Sequence, residues 1–220
     1  GSSEANGPLS VGLQSPPRPV TALTVRTWNF PELSSTAAKE SRRREYFAGL
    51  EETAVRIQRK RGGTILLFPQ SRGPGDFEND RPASLRLYRA LQARIPAGRL
   101  AWIDFPDAVS PFSILRLCAR ADLLLATRFH SAILALLGGT PVLSLNYQPK
   151  SSGMMRMLGL ERYAVDIAEA GPETLFPLAD GILGQGEGLR AEILERVGRV
   201  KEEAEGILRK ALSETGFIQP

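Results

Sequence analysis

The sequence predicts an α/β fold: a Rossmann-like parallel sheet with helices on both faces. Three observations predict it. Strand and helix signals alternate from Val20 onward. The run Thr64 to Phe68 is almost continuously apolar, as suits a strand buried on both faces. With 220 residues and 42% hydrophobic content, the chain can bury the core of one large domain.

The elements follow in order. Val20 to Thr27 is rich in β-branched residues and reads as the first strand. Thr36 to Arg61 carries Phe47, Leu50, Ala54 and Ile57 at helical spacing, and Gly62-Gly63 closes that helix. Thr64 to Phe68 is the second strand, followed by a loop from Pro69 to Asp80 broken by Gly73, Pro74 and Gly75. Asp80 and Pro82 open a helix through Leu85, Tyr88, Leu91 and Ile95, and Leu100 to Phe105 is the third strand. Ser110 as N-cap with Pro111 behind it launches a helix to about Arg120. Asp122 to Ala126 is the fourth strand, Phe129 to Leu137 a short apolar helix, and Pro141 to Leu145 the fifth strand. Ser151 to Leu158 reads as a helix and Tyr163 to Ile167 as a sixth strand. Leu189, Ile193, Val197, Val200, Ala204 and Ile207 fall on one face of a long C-terminal helix.

Residues 1–19 are set apart. They are rich in Gly, Ser and Pro, and Gly1-Ser2-Ser3 reads as a cloning scar, so the stretch is expected to be a flexible leader. Residues 20–220 form the domain, with the long helix at its end.

Composition narrows the function. The net charge of +4 favours acidic ligands, but the 28 basic residues, mostly arginine, are spread along the whole chain. Arg42-Arg43-Arg44 is interleaved with apolar helix positions and reads as a solvated face, which argues against a nucleic-acid partner. One cysteine, Cys118, allows no intrachain disulfide, and with one histidine it builds no protein-only zinc site, so no metal is expected. No uncharged apolar run is long enough to span a bilayer and no signal peptide is visible; the expected setting is cytoplasmic.

The most informative stretch is Ala121 to Lys150. Arg128 and His130 lie just past the fourth strand, at the start of the next helix, where free N–H groups and the positive end of the dipole favour anions. A guanidinium offers a planar fork to carboxylate or phosphate, and an imidazole hydrogen-bonds an anion or moves a proton. The bland alternative is that Arg128 reaches solvent and His130 caps the helix. Arg26 repeats the arrangement at the end of the first strand, at the edge where α/β sheets hold ligands; it reads equally as a surface arginine on an edge strand. Lys150 is either a phosphate contact or a solvated lysine, and Gln70 and Ser71 offer neutral hydrogen bonds after the second strand. Gly184 to Gly188 is glycine-rich but follows no strand, so it fails the dinucleotide-binding context. Trp28 and Trp102 are assigned to the core.

These residues resemble a known family. The stretch ADLLLATRFHSAILALLGGTPVLSLNYQPKSSGMMRMLGL is similar to the C-terminal part of the polysaccharide pyruvyltransferases, through Arg128, His130, Gly139, Pro141, Tyr147, Lys150, Gly153 and Leu158-Gly159-Leu160. LTVRTWN resembles the V-R strand of the same family, with Arg26 in the matching place. The resemblance implies one lobe of a GT-B-like two-lobed enzyme. It implies transfer of a pyruvyl group from phosphoenolpyruvate to a saccharide of a cell-surface polysaccharide, forming a pyruvate ketal. Arg26 and Arg128 would clamp the donor, His130 would contact the phosphate or act as acid/base, and Lys150, Gln70 and Ser71 would complete the donor site. Phosphoenolpyruvate would be a substrate and no cofactor is implied. The partners would be a saccharide acceptor, lipid-linked in some settings, and an N-terminal lobe not seen before Val20, which would supply the acceptor pocket and an acid/base carboxylate. The isolated chain is therefore expected to bind donor without robust turnover. The full-length protein would sit in the cytoplasm or against the inner face of the cell membrane.

Two rivals remain at this level. A nucleotide-sugar glycosyltransferase donor lobe shares the strand–helix order, although no Asp or Glu lies between Asp122 and Glu161 to hold a ribose. A degenerate, non-catalytic lobe is the other.

Overall fold

In the computed structural model, residues 16–75, 77–105 and 109–215 are described. Six parallel strands alternate with helices in the order β1 Val20–Thr24, α1 Thr36–Arg61, β2 Thr64–Leu67, α2 Arg81–Gln92, β3 Leu100–Trp102, α3 Pro111–Cys118, β4 Leu123–Ala126, α4 Phe129–Leu137, β5 Val142–Asn146, α5 Pro149–Met157, β6 Ala164–Asp166 and α6 Pro172–Glu214. The sheet order is β3-β2-β1-β4-β5-β6. The chain therefore works outward from β1 to β3, returns to the centre, and works outward the other way. A switch point opens between β1 and β4, outside whose carboxyl ends ligands bind in open α/β sheets.

Strands β1, β2, β4 and β5 are buried along their whole length, as continuous apolar runs in a doubly covered sheet must be. Helix α1 packs against α2 and α6; α4 packs against α3 and α6. Ser35 caps α1 by accepting from the Ala38 N–H, and Gly62 ends it at φ 68°. Ser110 caps α3 by accepting from the Phe112 N–H, with Pro111 in the first turn.

Several elements are shorter than their sequence signals. β1 stops at Thr24 rather than Thr27 because its partners run out there, with Leu23 opposite Leu67 and Thr24 opposite Ala126. β3 ends at Trp102 because β2 ends opposite it. α5 begins earlier than expected, at Pro149, so Lys150 lies in a first helical turn. The C-terminal helix is longer than predicted. It starts at Pro172 and bends at Gly186 (φ 55°, ψ −134°). Its first half buries Leu175, Ala179 and Ile182, and its second half buries Leu189 and Ile193. At the bend the helix runs along the amino edge of the sheet. There Lys60 and Arg61 grip Asp180 on one side, and Arg190 donates to the carbonyls of Ala121 and Gly138 on the other. That edge is closed by α6. The carboxyl edge is left to the loops that carry the anion-binding candidates.

Of the expected leader, residues 1–15 lie outside the described residues. The rest hugs the amino edge: the Pro17 carbonyl accepts from Thr64 Oγ1, and Arg18 pairs with Asp122. Among the described residues no helix is long and apolar enough to cross a membrane.

Candidate functional site

Arg26 lies two residues past β1, and Arg128 two residues past β4. The two strands are neighbours, so the switch point brings the two arginines together from sequence positions 102 residues apart. Both donate to one acceptor, the backbone carbonyl of Phe77, each through Nη2 at 3.0 Å. Arg26 also donates from Nε to the Thr27 carbonyl at 3.3 Å. Its guanidinium carbon lies 4.2 Å from the Tyr147 ring centre and 5.0 Å from that of Trp28, and the two rings sit 4.5 Å apart.

Arg128 has a partner that the sequence did not advertise. Its Nε reaches both oxygens of Asp80 at 3.0 and 2.9 Å, and its Nη2 reaches Oδ1 at 2.6 Å. Asp80 was read as the opener of α2. It occupies the N-cap position but makes no cap hydrogen bond; its Oδ2 accepts from the Ser71 N–H at 3.1 Å, and Asn79 Oδ1 takes the Arg81 N–H instead. Asp80 is completely buried, and an ionised carboxylate at that depth needs a cation more than a helix needs a cap.

The electrostatics follow from burial. Burial drives the Asp80 carboxyl above its ordinary range, opposed by the hydrogen bonds and charge of Arg128. Burial alone would lower Arg128, but the bonds and charge of Asp80, with Tyr147, hold it above the usual guanidinium value. Arg26 is lowered, first by burial and then by the like charge of Arg128. Arg26 is only 6% exposed, yet among the described residues no carboxylate lies within ion-pair distance of it. Two guanidinia and one carboxylate leave the pair with a net positive charge, and a buried cation without a counter-ion favours an anionic ligand.

The other predicted residues surround the pair to different degrees. His130 stands in the first turn of α4, exposed, its ring 5.6 Å from that of Phe129. Lys150 is exposed in the first turn of α5, with Nζ 5.2 Å from the Phe129 ring centre. Gln70 contributes its Oε1 to the buried Ser131 Oγ at 2.9 Å, while Ser71 acts through its backbone, toward Asp80. Trp28, assigned from sequence to the core, is only half-buried and lies tilted against Tyr147 beside Arg26 instead. Asp80, Ser131 and Trp28 were missed as site residues. Their positions along the chain gave no signal for any of them; only the register of β1 against β4 and the path of the β2–α2 loop bring them together.

Beside the pair lies a cleft of about 590 Å³, at the carboxyl ends of β5 and β6. Trp28 and Tyr147 wall it on the side of the arginines, and Glu32, Asn146, Gln148, Arg156 and Asp166 supply its charged and amide groups.

The comparisons agree with this architecture. The profile of the family described as polysaccharide pyruvyl transferase matches residues 33–149, which include Asp80, Arg128 and His130. Amylovoran biosynthesis protein AmsJ of Erwinia amylovora is 36% identical over 87 residues, 40% of this chain and 20% of that protein. The match therefore spans about a fifth of that relative's length. Among solved structures, trehalose-6-phosphate synthase OtsA aligns over 91% of this chain and 44% of its own, with a TM-score of 0.55 and 12% identity. A structure of apo OtsA aligns over the same shares with a TM-score of 0.53. That likeness is one of fold, and it makes this domain GT-B-like. With more than half of its length matched to the family profile, the chain belongs to the polysaccharide pyruvyl transferase family.

Proposed function

We propose that this chain is the donor-binding lobe of an enzyme that moves a pyruvyl group from phosphoenolpyruvate onto two hydroxyls of a saccharide, forming a ketal. The observation that carries the reading is the meeting of Arg26 and Arg128 across the strand-order switch, where both guanidinia share the Phe77 carbonyl and the one carboxylate, Asp80, pairs with Arg128 alone. A small ligand bearing both phosphate and carboxylate supplies the missing negative charge in two places at once.

The chemistry then distributes itself. Proton delivery to the methylene carbon of phosphoenolpyruvate leaves cationic character at the carbon bearing the phosphate ester. A sugar hydroxyl adds there and loses its proton, phosphate departs, and a second hydroxyl closes the ring and loses its own. Arg26 and Arg128 hold the carboxylate and phosphate, with Lys150 joining on the phosphate. His130, exposed at the start of α4, hands a proton to the departing phosphate or to the methylene carbon. Gln70 works through Ser131, and Ser71 through Asp80, to hold the loop that positions Arg128. The saccharide acceptor and the second lobe are the partners this reading requires.

Calorimetric titration tests it. Phosphoenolpyruvate binds the chain, and a hundredfold excess over its dissociation constant stabilises the fold by about 2.7 kcal/mol. Arg128→Ala alone would strand Asp80, so the informative variant is Arg128→Ala with Asp80→Asn, expected to stay folded and lose at least tenfold in affinity. Tighter binding of a nucleoside diphosphate sugar than of phosphoenolpyruvate would transfer the site to a glycosyltransferase. No binding of either would leave a non-catalytic lobe.

A further inference from the structure

The cleft beside the arginine pair has a different chemical character from the pair. Its aromatic wall is the tilted pair Trp28 and Tyr147, the same two rings on which Arg26 rests. Arg26 itself is absent from the lining, so the rings separate a cationic compartment from the cleft. Within the cleft, Glu32 and Asp166 face a single Arg156. Two carboxylates against one guanidinium give a net negative wall, which repels a second phosphate or carboxylate.

What such a wall accepts is a ligand with many hydroxyl donors and an apolar face. A carboxylate accepts hydrogen bonds and donates none, an amide does both, and a ring face covers C–H groups. The side chains of Glu32, Gln148 and Arg156 have no hydrogen-bond or ion-pair partner among the described residues, so they are free for a ligand. Asp166 is half committed, its Oδ1 accepting from the Ala168 N–H at 2.8 Å. The turn that presents Glu32 is held under strain: Phe30 sits at φ 46°, a left-handed conformation costly for a bulky residue, with its ring fully buried and its carbonyl accepting from Leu33. The cleft's 590 Å³ lies in the ordinary range of small-ligand sites.

We infer that the cleft between Trp28, Glu32, Gln148, Arg156 and Asp166 is a subsite for an uncharged pyranoside. It rests on the proposed donor site, for which it names the acceptor's chemistry and places the acceptor in this lobe. A sugar seated against Trp28 and Tyr147 lies beside the arginine pair, with the two rings between it and Arg26.

Trp28 reports on this directly. The chain has two tryptophans, and Trp102 is 4% exposed against Tyr88, so a ligand in the cleft perturbs the emission of Trp28 and leaves Trp102 as background. Titration with methyl glucopyranosides, galactopyranosides and mannopyranosides is expected to give a saturable shift with at least one of them, at millimolar concentrations. Glu32→Ala, an exposed position, is expected to weaken that sugar about tenfold and to leave the calorimetric titration with phosphoenolpyruvate unchanged. Silence of Trp28 up to the solubility limit of every sugar, with phosphoenolpyruvate still bound, overturns the subsite alone. So does an unchanged sugar affinity in Glu32→Ala. A sugar response in a chain that does not bind phosphoenolpyruvate keeps the subsite and overturns the donor reading.

Discussion

Asp80 stands where a helix cap belongs and serves an arginine instead. Its carboxylate meets Arg128 through three contacts of 2.6–3.0 Å while fully buried, whereas the Arg128 side chain keeps 16% exposure. Removing the acid leaves a cation that water only partly reaches, so Asp80→Ala is expected to cost about 3 kcal/mol in denaturant unfolding, at the low end for a broken buried pair. Asp80→Asn, which keeps two hydrogen-bonding atoms, is expected to cost less. A cap-only role would instead make Asp80→Ala cost about 1 kcal/mol and leave Asp80→Asn nearly neutral, because Asn caps as well as Asp. Cys118 illustrates the opposite kind of residue. Burial pushes its thiol up to about 12, so at pH 8 only about one molecule in ten thousand carries the reactive thiolate. Alkylation by iodoacetamide at pH 8 is expected only after unfolding; rapid labelling of the native chain would show that this part of the core opens.

Between β4 and β5 the connecting element is short, and its turn is exacting. α4 ends at Leu137, and the Gly138-Gly139 pair returns the chain to the sheet, with Gly139 at φ 73°. A Cβ at Gly139 would lie 2.8 Å from Leu194 Cγ on α6. Gly139→Ala therefore meets a left-handed backbone and a packed side chain together, and is expected to destabilise by about 2 kcal/mol in thermal or chemical unfolding. The arginine pair should remain in place, because it is set by β1 and β4 at the other edge. A full loss of phosphoenolpyruvate affinity in this variant while it is still folded would contradict that separation. Helix α6 applies the same logic at larger scale. Gly186 adopts backbone angles unlike the helix around it, and the bend lets one helix close the amino edge against both α1 and α4.

At the scale of the molecule, the amino edge is sealed by α6 and the carboxyl edge carries the arginine pair. Beyond Ala204, the described part of α6 is exposed apart from the half-buried Leu212. Truncation after Ala204 is expected to change stability by no more than about 0.5 kcal/mol and to leave donor affinity intact. Truncation after Gly186 removes the buried Leu189 and Ile193 and the Arg190 bonds to three carbonyls, and is expected to abolish cooperative thermal unfolding by circular dichroism. A shifted melting temperature in the first variant would mean that the helix end packs against the body.

Much of this was readable along the chain. The alternation of elements, the Thr36–Arg61 helix with its glycine stop, the Ser110-Pro111 start and the family resemblance all rest on local pattern, which a linear sequence displays directly. Arg26, Arg128 and His130 were legible because they follow strand signals, and the ends of parallel strands share one edge. What the sequence left open was which strands are neighbours. Adjacency of β1 and β4 is a property of the sheet order, and it alone turns two distant arginines into a pair. The same holds for Asp80, whose spacing suits a cap equally well, and for Trp28, whose apolar ring suits a core. Local pattern thus determined the fold class and the sheet edge at which Arg26 and Arg128 lie. Tertiary structure decided their partners and their charge balance, because burial and ion pairing depend on distance through space rather than on separation along the chain.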